Sequence, residues 1–484
     1  MPSSLRAALA AMLATSVLAG CTVGPNFRRP APPGDAAYLA PGETRRPASG
    51  PLAVTGEGPA LRWWTAFGSP ELDALVDQAI ARNASLEASN ATLAAARQQI
   101  AAARGRQLPQ VDADARVDHE QVNLAAYGFN TGTGNPEFNL YSIGGGVSFD
   151  LDLFGGNRRR VEQSVAQAET QLRQTQAAHL TVAGQVVNQV LLIAAIRAQI
   201  ATADAILAED QRNVDLTQKR RQGGEGTLVE VLNAQSQYQD DRGDLPQLDQ
   251  QLAEARHLLA TLVGVSPASL GATDFDLARL SLPAQVPVTL PSALVHKRPD
   301  ILQAEARLHD ATAAVGVATA QLYPDITLGA TVTQGSPNLG DLLNGAFRGF
   351  DVFGGVTAPL FHGGTLKAEQ RAAIDQARAA DAAYRQTVLD AFRQVADLLQ
   401  AINSDARSVA NQQQAVDVAQ RSLGLSRRSF QVGNSGILQV LESERLYQRA
   451  SSNLVDAQAR QYLNVARLYV ATAGGWTGPA TDGA

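Results

Sequence analysis

Few side chains in this 484-residue chain are spaced for chemistry. His119-Glu120 would open a zinc-binding helix, but the second histidine of that motif is absent. His296 precedes Lys297-Arg298-Pro299 at a helix start and reads as a surface turn rather than a base. Gly144-Gly145-Gly146 falls inside a strand-like run, not at the strand-to-helix turn where a loop cradles phosphate. No Ser, His and Asp are spaced as a hydrolytic triad. The single cysteine, Cys21, excludes a disulfide framework and a cysteine-based metal cluster, and the six histidines are scattered. Glu442 and Arg445 stand at i,i+3 on a helix and could pair there. The plain alternative is a solvated helix face.

Composition agrees with this poverty. The formal net charge of −6 gives no basic footprint for nucleic acid. Aromatics are 5%, methionines 2 and charged residues 18%, against roughly 25% charged in an ordinary soluble protein. Abundant Ala, Gln and Arg suit long helices with thin apolar seams better than bulky cores. The expectation is a non-enzyme with no cofactor and no metal.

The N-terminus is an address. Arg6, an apolar run from Ala7 to Leu18 and small residues make a secretory signal over 1–20. It ends Leu18-Ala19-Gly20-Cys21, which resembles the bacterial lipoprotein box, where Cys21 becomes the first residue and carries lipid such as palmitate. Thr22, not Asp, follows; by resemblance to lipoprotein sorting this implies the outer membrane. Beyond residue 20 the longest apolar run, Val190 to Ile196, is far short of the ~20 residues of a membrane helix. If the mature chain crosses a membrane, it does so as strands. Residues 21–60 form an extended linker with eight prolines between 22 and 60, unable to make a helix or a central strand.

The rest reads as one unit written twice. Gly224, Val231, Leu232 and Tyr238 recur 209 residues on as Gly433, Val440, Leu441 and Tyr447. Pro109 recurs as Pro324 and Gly155-Gly156 as Gly363-Gly364. The units span 61–264 and 294–473, joined by a linker over 265–293 and followed by a tail, 474–484. Each reads helix, strand, strand, long helix, turn, helix. Helices are expected over 70–107, 157–221 and 227–263, then 294–322, 365–431 and 437–473, with Pro246 kinking the third. In the first long helix Val161, Val165, Ala168, Leu172, Val182, Val186, Ile193, Ile196 and Ile200 recur at 3–4 spacing, a coiled-coil-like seam. Such helices reach roughly 100 Å.

Four runs alternate. Val111, Ala113, Ala115 and Val117 interleave with Asp112, Asp114, Arg116 and Asp118. A second run spans 141–153 and a third 326–333; the fourth, 350–361, alternates less cleanly. Period two means one apolar and one polar face. Outer-membrane barrels have this pattern, with lipid outside and lumen inside. Four strands cannot close a barrel, so the chain must oligomerise; three copies give twelve strands and two give eight, of which the larger leaves room for an aqueous lumen. Loops 119–140 and 334–349 would then face outside.

Cys21-Thr-Val-Gly-Pro-Asn-Phe-Arg-Arg-Pro30, Trp63-Trp64, Phe149-Asp-Leu-Asp-Leu-Phe-Gly155, Lys297-Arg-Pro-Asp-Ile301, Leu322-Tyr-Pro-Asp-Ile-Thr-Leu328 and Leu360-Phe-His-Gly-Gly364 resemble the TolC-like outer-membrane factors. The branch they are most similar to is the lipoprotein channels of resistance–nodulation–division efflux systems. The resemblance implies a mainly α homotrimer, with a twelve-stranded outer-membrane β-barrel on a periplasmic α-helical barrel. It implies a periplasmic adaptor and an inner-membrane pump as partners, with outer-membrane lipid around the strands. The hairpin turns 222–227 and 433–436 would form the periplasmic mouth. Aligned on Phe430-Gln-Val-Gly433, the family's aperture positions fall on Leu438, Gln439, Glu442 and Arg445, with Val229 and Glu230 in the first unit. Gln439 stands where some relatives have an acidic ring, and Phe430 and Ser435 where a Tyr and an Arg stand, so the closing contacts must be re-wired. A passive exit duct for drugs is the leading reading. The same duct in metal-ion efflux or protein secretion, and a structural periplasmic coiled-coil lipoprotein, are the alternatives.

Overall fold

The computed structural model describes residues 22–34, 37–40, 42–43, 51–56, 58–123, 128, 136–271 and 274–472. Cys21, the signal segment and the tail lie outside the described residues. The elements run β1 (Leu52–Gly56), α1 (Pro70–Arg82), α2 (Ala84–Gly105), β2 (Gln110–Gln121), β3 (Glu137–Asp150), α3 (Gly156–Gln222), α4 (Leu228–Val263), β4 (Gln285–Thr289), α5 (Pro291–Leu294), α6 (Pro299–Ala320), β5 (Asp325–Ser336), β6 (Arg348–Thr357), α7 (Thr365–Gln431) and α8 (Ile437–Thr472). They form two compact units, one holding Leu93–Thr170 and Ala304–Tyr384 with the N-terminal residues to Arg29, the other holding the rest.

The first unit carries an antiparallel sheet in the order β2-β3-β5-β6. Its register settles the faces. Val111 pairs with Val147, Val147 with Ala330, and Ala330 with Val352. One residue along, Asp112, Gly146, Thr331 and Asp351 make the matching row on the other face. The apolar row is bare: Val111 is 77% exposed and Val352 73%. The fourth strand alternates poorly because Phe353 sits on the polar face, opposite Gly329. A Cβ on Gly329 would lie 2.3 Å from the Phe353 ring, so the ring occupies the space of the missing side chain. The strands extend beyond the runs 111–118 and 326–333, which shortens the expected loops.

Residues 22–29, within the expected linker, are tied to this unit. The buried Arg159 donates to the carbonyls of Val23 (3.1 Å) and Gly24 (3.2 Å) and to Asn26 Oδ1 (2.8 Å). Phe27 stacks on His309 with centroids 4.4 Å apart, and Arg29 pairs with Glu305 at 2.6 Å.

The second unit holds the aromatic core. Trp63, Trp64 and Phe67 are buried, Trp63 stacks on Tyr469, and the Tyr462 hydroxyl donates to Leu280 O at 2.8 Å. One window of α3 is apolar enough to cross a membrane by composition. Val186, Val187, Val190, Leu191, Ile193 and Ala194 within this helix are fully buried, and a third of that window is buried in all.

Two expectations need correction. The helix over 70–107 is two helices, broken at Asn83. There the Asn83 side chain accepts from the Ser85 and Leu86 N–H groups, capping α2, while its amide donates to Leu262 O at 2.8 Å. A capping side chain that also bonds across to α4 outcompetes helix continuation. Asn83→Ala is expected to cost about 1–2 kcal/mol, read as a lowered thermal midpoint; an unchanged midpoint would refute the cap. The helix expected to start at 294 starts at Pro299, with α5 as a separate turn. Both linkers contribute a strand: β1 pairs parallel with β4, and with two strands each is an edge, which admits Pro287. Through Pro246, α4 runs on as one helix.

Candidate functional site

In the second unit, α3 with α4 and α7 with α8 form two helical hairpins whose turns share one geometry. Gly224 and Gly433 have φ of 79° and 78°, a left-handed conformation that glycine adopts without cost. Glu225 N–H bonds Arg220 O, and 209 residues on Asn434 N–H bonds Ser429 O, closing a Schellman turn in each. α3 and α7 have 67 residues each, α4 and α8 have 36 each.

The turns differ just after this point. Thr227 and Glu230 form a capping box on α4: the Thr227 hydroxyl accepts from Glu230 N–H and the Glu230 carboxylate from Thr227 N–H at 2.8 Å. The equivalent positions in the second hairpin are Gly436 and Gln439. Glu230 therefore spends its charge on its own helix terminus. Val229 and Leu438 are equivalent, 65% and 62% exposed. Gln439 is exposed, and Glu442 and Arg445 pair on the exposed face of α8.

Phe430 is buried with Leu423, Ile437 and Val440. The Arg220 guanidinium from α3 lies 4.3 Å over its ring and donates to its carbonyl at 3.4 Å. A cation–π contact thus joins the hairpins at this position. The Ser435 hydroxyl is buried without a partner.

From about one turn behind the tip to more than five turns along the hairpins lies a network missed at the level of sequence. Arg427 of α7 donates from Nη2 to Glu209 of α3 (2.6 Å) and to Glu444 of α8 (2.9 Å). Asn213 of α3 donates to the other Glu444 oxygen. Ser426 and Ser443 bond across α7 and α8 at 2.7 Å, and Gln199 of α3 donates to Asp456 of α8 at 2.6 Å. Burial pushes the Glu444 carboxyl up in spite of Arg427 and Asn213. An open cavity of about 720 Å³ lies beside it, lined by Glu209, Leu423, Arg427, Glu444 and Gln448. A signal existed: continuing the α3 seam past Ile200 at 3–4 spacing reaches Asp210, Val214 and Thr217, and all three are buried. A carboxylate on an apolar seam marks a place where something other than apolar packing is held. Among the described residues no cluster of His, Cys, Asp and Glu could hold a metal ion.

A sheet with one bare apolar face, and paired long hairpins bound to each other by polar links, are features that a membrane channel would use. The family model for outer membrane efflux protein matches residues 75–265 and 290–474, and the chain belongs to that family. It is similar to the pyoverdine export outer membrane protein OpmQ of Pseudomonas aeruginosa, 29% identical over 86% of this chain and 87% of the relative. It is also similar to the probable efflux pump outer membrane protein TtgC of Pseudomonas putida, 28% identical over 95% and 94%. Among solved structures, the outer-membrane channel OprN superposes with a TM-score of 0.84 at 26% identity, over 94% of this chain and all of that one. The protein is an efflux channel component of the outer membrane.

Proposed function

We propose that three copies of this chain close a twelve-stranded barrel and form the passive exit duct of a tripartite drug efflux pump, supplied by a periplasmic adaptor and an inner-membrane pump. The observation that carries the reading is the sheet. Among the described residues its two edge strands, β2 and β6, are each paired on one side only, and its apolar row is exposed. Four strands leave two open edges, which closure with further copies removes. The duplicated organisation, 61–264 and 294–473 about a linker at 265–293, is supported by the equal helix lengths and by the two family-model segments. We read Cys21 as lipidated after removal of 1–20, 21–60 as the tethering linker and 474–484 as a tail. No cofactor beyond the covalent lipid is required, and the protein acts as a channel, not an enzyme.

The aperture is assigned to Leu438, Gln439, Glu442 and Arg445 of α8, with Val229 in the first hairpin. The exposure of these residues supports this; Glu230 acts there chiefly as a cap. Repeated around an axis, Glu442 repels its copies while Arg445 neutralises part of that charge. Glu442→Ala is expected to raise conductance and sensitise cells to large antibiotics. Unchanged conductance in a folded assembly would remove Glu442 from the gate.

The deciding experiment is single-channel conductance in planar bilayers with the assembly's mass measured in detergent. A threefold mass with small, cation-preferring, salt-sensitive currents is expected. A monomer without current would overturn the duct.

A further inference from the structure

Beside the Arg427 network lies a carboxyl group that the aperture does not use. Asp210 of α3 is 1% exposed, and no donor reaches either of its oxygens. The side chain that meets it is Asp241 of α4, itself an acceptor when ionised. Glu209 of α3 and Glu444 of α8 also bear on it. The cation of the cluster is Arg427 of α7, already bonded to Glu209 and Glu444. Farther out, Asp241 shares a groove with Asp244 of α4 and with Arg445 and Arg449 of α8. Four carboxyl groups thus meet one guanidinium in the cluster, and two of them touch. Neighbouring carboxylates away from water cannot both ionise. The contact is satisfied when one proton is shared, with Asp210 donating to Asp241.

We propose that Asp210 is a proton-operated fastener of the hairpins, closing the tip while it holds its proton and loosening α3 from α8 when it ionises. The proposal rests on the tip being the gate. Ionised, Asp210 faces Asp241, Glu209 and Glu444 as like charges, while Arg427 is already bonded to Glu209 and Glu444, and separation of the helices with entry of water is the relief available. Burial first, then the bond to Asp241, raises the Asp210 carboxyl to about 8. In a splayed, watered tip it would return toward its ordinary 3.8. The splayed state therefore gains relative to the closed one as pH rises between these two values. The gain is at most about tenfold per pH unit in each copy, and there is no further gain above about 8.

The test uses the full-length protein in planar bilayers from pH 5 to 9. Open probability should rise to about pH 8 and then level. Asp210→Asn should give a flat profile near the acid-side value. Asp241→Asn supplies a donor to ionised Asp210 and should move the upper end of the profile at least one unit toward acid. A flat wild-type profile, or an Asp210→Asn profile as steep as wild type, overturns the fastener. Thermal unfolding separates this from failure of the duct. The wild type should lose stability from pH 5 to 8, because the folded chain holds a proton the unfolded chain has released, and Asp210→Asn should lose less. Equal slopes overturn the fastener even where no current flows. A pH-dependent melt specific to Asp210 without current refutes the conducting tip and upholds the buried proton.

Discussion

Arg427→Met is expected to lower the stability of the second unit by roughly 3 kcal/mol. That is the low end of the 3–5 kcal/mol typical when one partner of a buried ion pair is removed, because water reaches a third of the Arg427 side chain. Glu444 is 3% exposed, and without Arg427 it keeps a single amide from Asn213 against a buried negative charge. Glu209 loses its link to α7 at the same time. The change is measured by thermal or urea unfolding of the detergent-solubilised protein, and by faster hydrogen exchange in α3 and α8 around 209–213 and 440–448. A second substitution decides the cause. Glu444→Gln in the Arg427→Met background removes the stranded charge, so the double variant should recover much of the loss, a coupling of at least about 1 kcal/mol. Additive effects would mean that Arg427 serves through its aliphatic stem alone.

The same cluster marks the boundary of what the residues disclosed before the fold was in view. The period of 3–4 in the first long helix was legible because Val182, Val186, Ile193 and Ile196 each pack on a single stripe, and packing is what periodicity records. The alternation of 111–118 and 326–333 was legible for the same reason, one face against another. Interactions between distant segments left weaker traces. β1 hides in a proline-rich linker because a two-stranded parallel pair asks for neither alternation nor a hydrophobic run. The break at Asn83 depends on Leu262, 179 residues away. Resemblance put Glu230 at the aperture, and the local sequence Thr227-Leu-Val-Glu230 is also a capping box, whose bonds the structure shows. Asp210 was overlooked because a charged residue ends an apolar pattern on the page, whereas in the molecule it continues the seam by holding a proton.

Val352→Arg should cost the folded protein about 2–4 kcal/mol in lipid vesicles, whereas Thr331→Arg should cost little. The figure is that of a cation on the lipid face of an outer-membrane strand near mid-depth. The two positions lie on neighbouring strands, one residue apart in register, and differ in which side of the sheet they occupy. Val352 belongs to the row Val111, Val147 and Ala330; Thr331 belongs to the row Asp112, Gly146 and Asp351. A charge at 352 would have to enter hydrocarbon, and one at 331 would enter the wet interior. A soluble sandwich would also penalise Val352→Arg, so stability alone does not identify the solvent. Tryptophan probes do. Fluorescence of Val352→Trp should be quenched by lipids brominated on the acyl chain, and that of Thr331→Trp by a water-soluble quencher admitted to the lumen. Each probe is read against the native tryptophans, two of which, Trp63 and Trp64, are buried in the second unit. If brominated lipid leaves the Val352→Trp probe unquenched, the bare row of the sheet faces protein rather than membrane, and the barrel has to be abandoned with it.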